Sequence, residues 1–203
     1  MPGTIGVISP PLPLRVLHLE DDWADAEHVA GELMRGGLNF TTLRVNSEAE
    51  FVRAVQDFAP DVVLSDHARQ TFNARSALEH LRTARPTTPL IVVTGALSEQ
   101  LVVEYIRAGA ADYVSKANLA RLQPAIEKSV ESRRRLERLT PRQREVLRLV
   151  ADGLSTAEVA QRLGLSIKTV ETHRTALMDR LGMHHLAGLI RFAMQVGLVL
   201  PAV

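Results

Sequence analysis

Five side chains, far apart along the chain, have the types that phosphoryl chemistry needs: Glu20, Asp21, Asp66, Thr94 and Lys116. Three carboxylates at close range repel one another and need a cation, and an all-oxygen donor set suits octahedral Mg2+. An ionised aspartate in such a group, here Asp66, can attack phosphorus as a carboxylate nucleophile. Lys116 can pair with a phosphoryl oxygen, and the Thr94 hydroxyl can donate a hydrogen bond to it. Each residue alone reads as an ordinary polar loop residue. They become one set because each stands at the end of a short apolar run.

Those runs alternate with helical segments. Strands are expected near 15–19, ending in Glu20-Asp21-Asp22, near 38–45, near 61–65, ending in Asp66, near 90–93, ending in Thr94-Gly95, and near 112–115, ending in Lys116. Helices are expected near 25–35, 48–58, 74–83, 98–108 and from 119 toward 136. Asp22 reads as a helix cap, and Ser47 with Glu50 as a capping box. Five βα repeats predict an α/β fold, a doubly wound five-stranded parallel sheet. In such sheets function gathers at the carboxyl ends of the strands. That geometry would unite the five residues.

A second constellation fills Thr140 to Leu181. Thr140, Pro141 and Gln143 have the spacing of a capping box with proline at the first helical position. Ser155 with Glu158 repeats the box, Ser166 caps a third helix, and Gly153, Gly164 and Gly182 can stop the three helices. Two helices joined by Leu163-Gly164-Leu165-Ser166 make a helix-turn-helix. On the third helix Ile167, Val170, Leu177 and Leu181 recur at helical spacing as a buried stripe. Lys168, Glu171, Thr172 and Thr175 fall on other faces, with His173 and Arg174 alongside. That polar surface suits a DNA major groove, and the plainer reading is a solvated helix face.

The 203 residues suffice for two small domains. Net charge is only +1, but residues 1–138 hold 16 basic against 18 acidic side chains, and residues 139–203 hold 8 against 5. The basic excess therefore sits at the proposed DNA-binding end, as phosphate attraction requires. Cysteine is absent, which excludes disulfides and thiol chemistry. No run resembles a signal peptide or is long enough to span a bilayer, so a cytoplasmic protein without membrane contact is expected. The expected organisation is a flexible arm over 1–13, an α/β domain over 14–130, a helical linker over 131–139 and an all-α four-helix domain over 140–203. In the linker, Arg133-Arg134-Arg135 could touch DNA, and the better reading is a solvated helix face.

Two resemblances sharpen these readings. The segments VLHLEDD, PDVVLSD, PLIVVTGA and AGAADYVSK resemble the response-regulator receiver domain. The resemblance implies a flavodoxin-like fold in which Glu20 and Asp21 are the acidic pair, Asp66 the phosphoacceptor, Thr94 the switch hydroxyl and Lys116 the lysine. It also makes Tyr113 the switch aromatic and the Ala68 backbone carbonyl a further ligand to Mg2+. Three departures stand out. The loop HARQTFNARS after Asp66 lacks the usual proline and glycine, Glu20 replaces a commoner aspartate, and Ala117 follows Lys116 where many receivers have proline. No cis bond is expected before Ala117. His67 reads as solvent-facing.

The segments LTPRQREVL, GLSTAEVAQRLGLS and KTVETHRTALMDRLG resemble the LuxR-type DNA-binding domain of NarL/FixJ response regulators. This implies a third helix in the major groove and a fourth helix, near 185–199, that forms much of a dimer contact. Glu171, Thr172 and Thr175 would face base edges, and Lys168, Thr169, His173 and Arg174 would mainly meet phosphates. Together the resemblances imply a transcriptional regulator that accepts phosphoryl on Asp66 from a sensor histidine kinase. It would then pair as a homodimer on a double-stranded DNA operator. The alternative is a constitutive dimer or protein-docking receiver whose DNA binding ignores phosphorylation. An enzyme acting on an external substrate is not expected, because neither a substrate pocket nor a general base is evident.

Overall fold

The computed structural model describes residues 12–67, 72–95 and 98–199. The element order is β1 (Leu14–Leu19), α1 (Trp23–Arg35), β2 (Phe40–Val45), α2 (Glu48–Asp57), β3 (Val62–Ser65), α3 (Ala74–Ala84), β4 (Leu90–Thr94), α4 (Glu99–Arg107) and β5 (Asp112–Ser115). A 3-10 segment, Lys116–Arg121, leads into α5 (Leu122–Glu137), followed by α6 (Pro141–Ala151), α7 (Thr156–Leu163), α8 (Ile167–Leu181) and α9 (Leu186–Gln195). Most residues of the expected arm, 1–11, and Ala68 lie outside the described residues.

The five strands form one parallel sheet in the order β2-β1-β3-β4-β5. Central strands β3 and β4 are buried along their whole length, which their unbroken apolar runs predict. Because successive strand residues point to opposite faces, each strand feeds two cores. Leu17, Leu19, Val63 and Val92 pack with Phe51 of α2 and Leu78 of α3 on one face. Val16, Leu64, Ile91 and Val93 pack with Val29 of α1 and Ile126 of α5 on the other.

Local chemistry sets the element ends. Asp22 caps α1 by accepting from the Ala24 and Asp25 N–H groups, so the helix begins two residues earlier than expected. The Ser47 hydroxyl accepts from the Glu50 N–H, but the Glu50 carboxylate accepts from Asn46 rather than from Ser47, so only half of that capping box forms. Both halves form in the Thr140–Gln143 and Ser155–Glu158 boxes. Gly164 and Gly182 end α7 and α8 in the left-handed region, with φ of 64° and 61°. No cis peptide occurs among the described residues, and the Ser115 hydroxyl accepts from the Ala117 N–H at the start of the 3-10 segment.

Helix α5 belongs to two cores. Ile126 and Val130 pack on the sheet, whereas Leu136 packs with Leu147, Leu177, Leu189 and Phe192 of the helical domain. Arg134 is exposed, as expected from sequence, but Arg133 and Arg135 do not belong to a solvated face. Arg133 donates to the Pro60 and Asp61 carbonyls at 3.1 and 3.3 Å. Arg135 donates to the Leu181 carbonyl and lies over the Phe192 ring. Gln195 of α9 donates to the Ser132 hydroxyl at 3.1 Å. The cause is position: this turn of α5 is covered on both sides, a tertiary fact with no local signature.

Truncating Leu136, 1% exposed at this junction, leaves a cavity in the helical core. Leu136→Ala is expected to cost about 2–5 kcal/mol, read by urea unfolding. An unchanged midpoint would remove α5 from that core.

Candidate functional site

The sheet delivers its strand ends to one edge. Glu20 follows β1, Asp66 follows β3, Thr94 closes β4 and Lys116 follows β5. The register matches, with Leu19 opposite Ser65 and Thr94 opposite Ser115. Lys116 Nζ donates to Glu20 Oε2 at 3.0 Å, to Asp66 Oδ2 at 2.6 Å and to Asp25 Oδ2 at 2.5 Å. An ammonium has three N–H donors, and these three carboxylates match that number.

Glu20 is 1% exposed, Asp66 8% and Thr94 2%. Burial works against the Lys116 charge, but the hydrogen bonds it donates to Asp25, Asp66 and Glu20 outweigh it and hold its pKa well above the usual lysine range. Burial pushes the Glu20 carboxyl up, opposed by Lys116 and by the Asp22 N–H, which donates to Glu20 Oε1 at 3.1 Å. Arg44 donates to the Glu20 and Asp21 carbonyls at 2.9 and 3.3 Å and lies 5.1 Å over the Trp23 ring, which fixes the β1–α1 loop.

Asp25 is the site residue that sequence reasoning missed. Carboxylate oxygens of Glu20, Asp25 and Asp66 lie within 4.8 Å of one another. Asp21 is exposed beside this trio and is not one of the three. A signal existed, since the Asp22 cap puts Asp25 in the first turn of α1. Nothing in the spacing gave its distance to Lys116. Tyr113 is half-buried, pairs with Val92 across the β4–β5 ladder and packs against the α2–α3–α4 core. His67, expected to face solvent, is partly buried instead, with Nδ1 2.9 Å from the Tyr105 hydroxyl. The partner comes from α4, too distant in sequence to be foreseen.

The second surface is α8. Ser166 caps it by accepting from the Thr169 N–H. Val170, Leu177 and Leu181 are buried, but Ile167 is 52% exposed. At 100° per residue Ile167 lies roughly 60° off that stripe, in the first turn of the helix. Lys168, Glu171, Thr172 and Thr175 are exposed, and Thr169, His173 and Arg174 half-buried. Several are already oriented. Arg174 donates to the Thr156 hydroxyl at 2.6 Å, Thr172 to the Lys168 carbonyl at 3.0 Å, and the Thr169 and Ser166 hydroxyls lie 2.8 Å apart. The outward face of α8 is therefore ordered and open to solvent.

The fold agrees with that of known proteins. Residues 16–127 match the model of the response regulator receiver domain, and residues 137–193 match that of bacterial regulatory proteins of the luxR family. The chain is 30% identical to the transcriptional regulatory protein FixJ of Azorhizobium caulinodans, over 94% of this chain and 95% of that one. It is 27% identical to the tetrathionate response regulatory protein TtrR of Salmonella typhimurium, over 88% of this chain and 91% of that one. Full-length FixJ from B. japonicum shares the fold, with a TM-score of 0.54 and 22% identity, over 93% of this chain and all of that one. The chain belongs to the NarL/FixJ family of two-component response regulators. It is a transcription regulator with a receiver domain and a LuxR-type DNA-binding domain. No helix among the described residues is long and apolar enough to cross a membrane.

His18, 4% exposed on β1 beneath the site, has its pKa lowered to about 4 by burial and by the Lys116 charge. Its usual value is 6.5, so the unfolded chain takes up a proton at this residue before the folded one does. Stability present above pH 6.5 is then lost as pH falls toward and through 4. At full effect the loss is ~3 kcal/mol. Urea unfolding at pH 7 and pH 4.5 should show a smaller drop for His18→Gln than for wild type. Equal drops would contradict this assignment.

Proposed function

We propose that phosphorylation of Asp66 switches this transcription regulator. The observation that carries the reading is the meeting of Asp66 with Lys116 and the buried Glu20 at the carboxyl edge of the sheet. A sensor histidine kinase is the proposed donor. An Asp66 carboxylate oxygen bonds to phosphorus as the phosphorus–nitrogen bond of the phosphohistidine breaks, and the histidine nitrogen regains a proton. Lys116 then turns an N–H from the aspartate to a phosphoryl oxygen, and the Thr94 hydroxyl donates to another. Tyr113 follows Thr94, and the change favours a homodimer.

The donor chemistry fits Mg2+. The three carboxylates close together outnumber the one ammonium among them, and all offer oxygen. Glu20, Asp21, Asp66 and the Ala68 carbonyl are the proposed metal set, with Asp25 a further carboxylate at its edge. Bound Mg2+ supplies charge neutralisation for the incoming phosphoryl group.

For DNA, the proposed docking puts Glu171, Thr172 and Thr175 at base edges in the major groove and Lys168, Thr169, His173 and Arg174 mainly at phosphates. The exposed, ordered face of α8 supports it. Cytoplasmic location follows from a DNA operator and a phosphoryl donor inside the cell. A second reading has its own observation. Because the α8 face is open while Lys116 is bonded to Asp66, DNA binding independent of phosphorylation is a real competitor.

Light scattering with Mg2+ and beryllofluoride, on wild type and Asp66→Asn, separates the two. A monomer-to-dimer shift in wild type alone is expected. A wild type that is dimeric throughout and indifferent to the mimic would favour the second reading. For the interface, Lys168→Ala should weaken DNA binding across sequences and lower the salt slope by about 1. Glu171→Ala should relax preference at one base pair by ~1–3 kcal/mol. The reverse pattern, in binding measured at several salt concentrations, would exchange the two roles.

A further inference from the structure

Tyr105 is the other of the chain's two tyrosines and stands on α4, not on the strand that carries Tyr113. It is 7% exposed and belongs to the core cluster against which Tyr113 packs. Its hydroxyl lies 2.9 Å from His67 Nδ1, and the two rings meet edge to face with centroids 5.6 Å apart. His67 directly follows Asp66, whose carboxylate bonds Lys116 in this arrangement. One peptide link and one hydrogen bond therefore join the phosphoacceptor to α4. Burial raises the Tyr105 pKa, Arg75 opposes the rise, and Asp66 and Glu104 add to it, so the field of Asp66 reaches the phenol. On the same helix Val103 and Ile106 are 48% and 40% exposed. Moving Tyr105 therefore changes what α4 presents to a partner.

We propose that the His67–Tyr105 hydrogen bond is a lock, which holds α4 in the arrangement that goes with the Lys116-bonded Asp66 carboxylate and opens when Asp66 is modified. The proposal rests on the reading of Asp66 as phosphoacceptor. It adds a route to α4 that passes through neither Thr94 nor Tyr113, with Tyr105 a positioning residue acting through His67. A contact made in only one of two states biases the equilibrium toward that state, and so weakens any ligand selected by the other. Removing the contact should tighten that ligand.

The test is calorimetric titration of the full chain with beryllofluoride at saturating Mg2+. The fluorescence of Trp23, the single tryptophan, at the start of α1, serves as a second readout. Tyr105→Phe removes only the hydroxyl and is expected to lower the half-saturating concentration roughly three- to ten-fold, the scale of one hydrogen bond. His67→Ala should do the same, and the double substitution should gain no more than either single one. A defect in packing alone would weaken binding instead. His67→Ala, at a partly exposed position, keeps the test valid should Tyr105→Phe fail to fold. If wild type binds the mimic and both variants bind it equally or more weakly, the lock is overturned and the phosphoacceptor reading stands. If wild type does not bind it, or Asp66→Asn binds it equally, both fall.

Discussion

A buried charge must be matched where it lies, and at the carboxyl edge of this sheet one ammonium is matched by three carboxylates. The ammonium comes from the end of β5 and the carboxylates from the ends of β1 and β3 and the first turn of α1. Removing one partner of a buried pair leaves the other charge uncompensated, at a cost of several kcal/mol. Four elements are therefore tied to one another's positions by a contact whose net contribution to stability is modest. The contact also leaves carboxylates in excess of ammonium, a balance that a cation would even out. The interaction that organises the edge is thus also the one the proposed phosphorylation would rearrange.

The DNA-reading half depends on a different device. Its three-helix unit is set by caps and left-handed glycines, each local, and is then closed by Leu136 of α5 and by α9. The sheet and the helical domain share α5, and Arg133 and Arg135 fasten that helix to one and the other. The outward face of α8 stays clear of this joint, and the tail of α9 does not, since Gln195 reaches Ser132. The joint therefore holds the end of α8, through the Leu181 carbonyl, and the end of α9, through Gln195.

What the sequence made legible was what short-range physics decides. The apolar runs ending in Asp66 and Thr94 announced the buried central strands, and the Thr140–Gln143 and Ser155–Glu158 spacings announced complete capping boxes. Glu50 misled because a carboxylate at the third helical position can accept from the Asn46 N–H instead of the Ser47 N–H. Ile167 misled because membership of a stripe at a helix end depends on whether a neighbour reaches that far. The reach of Asp25 to Lys116, and the tie between His67 and Tyr105, were illegible for a stronger reason. Their partners are brought by the sheet from far along the chain, and no local pattern encodes such a meeting.

Arg133 and Arg135 are two residues apart on α5, which at 100° per residue puts them about 200° around the axis. One turn of helix is thus gripped from nearly opposite sides by two bodies. Chain length at that place is counted in turns. A single inserted residue would swing the DNA-reading helices by about 100° relative to the sheet and move them ~1.5 Å along the axis, whereas seven would nearly restore the phase. The number of residues between the two grips is set by geometry. A longer joint keeps both grips only if it grows in near-integral turns.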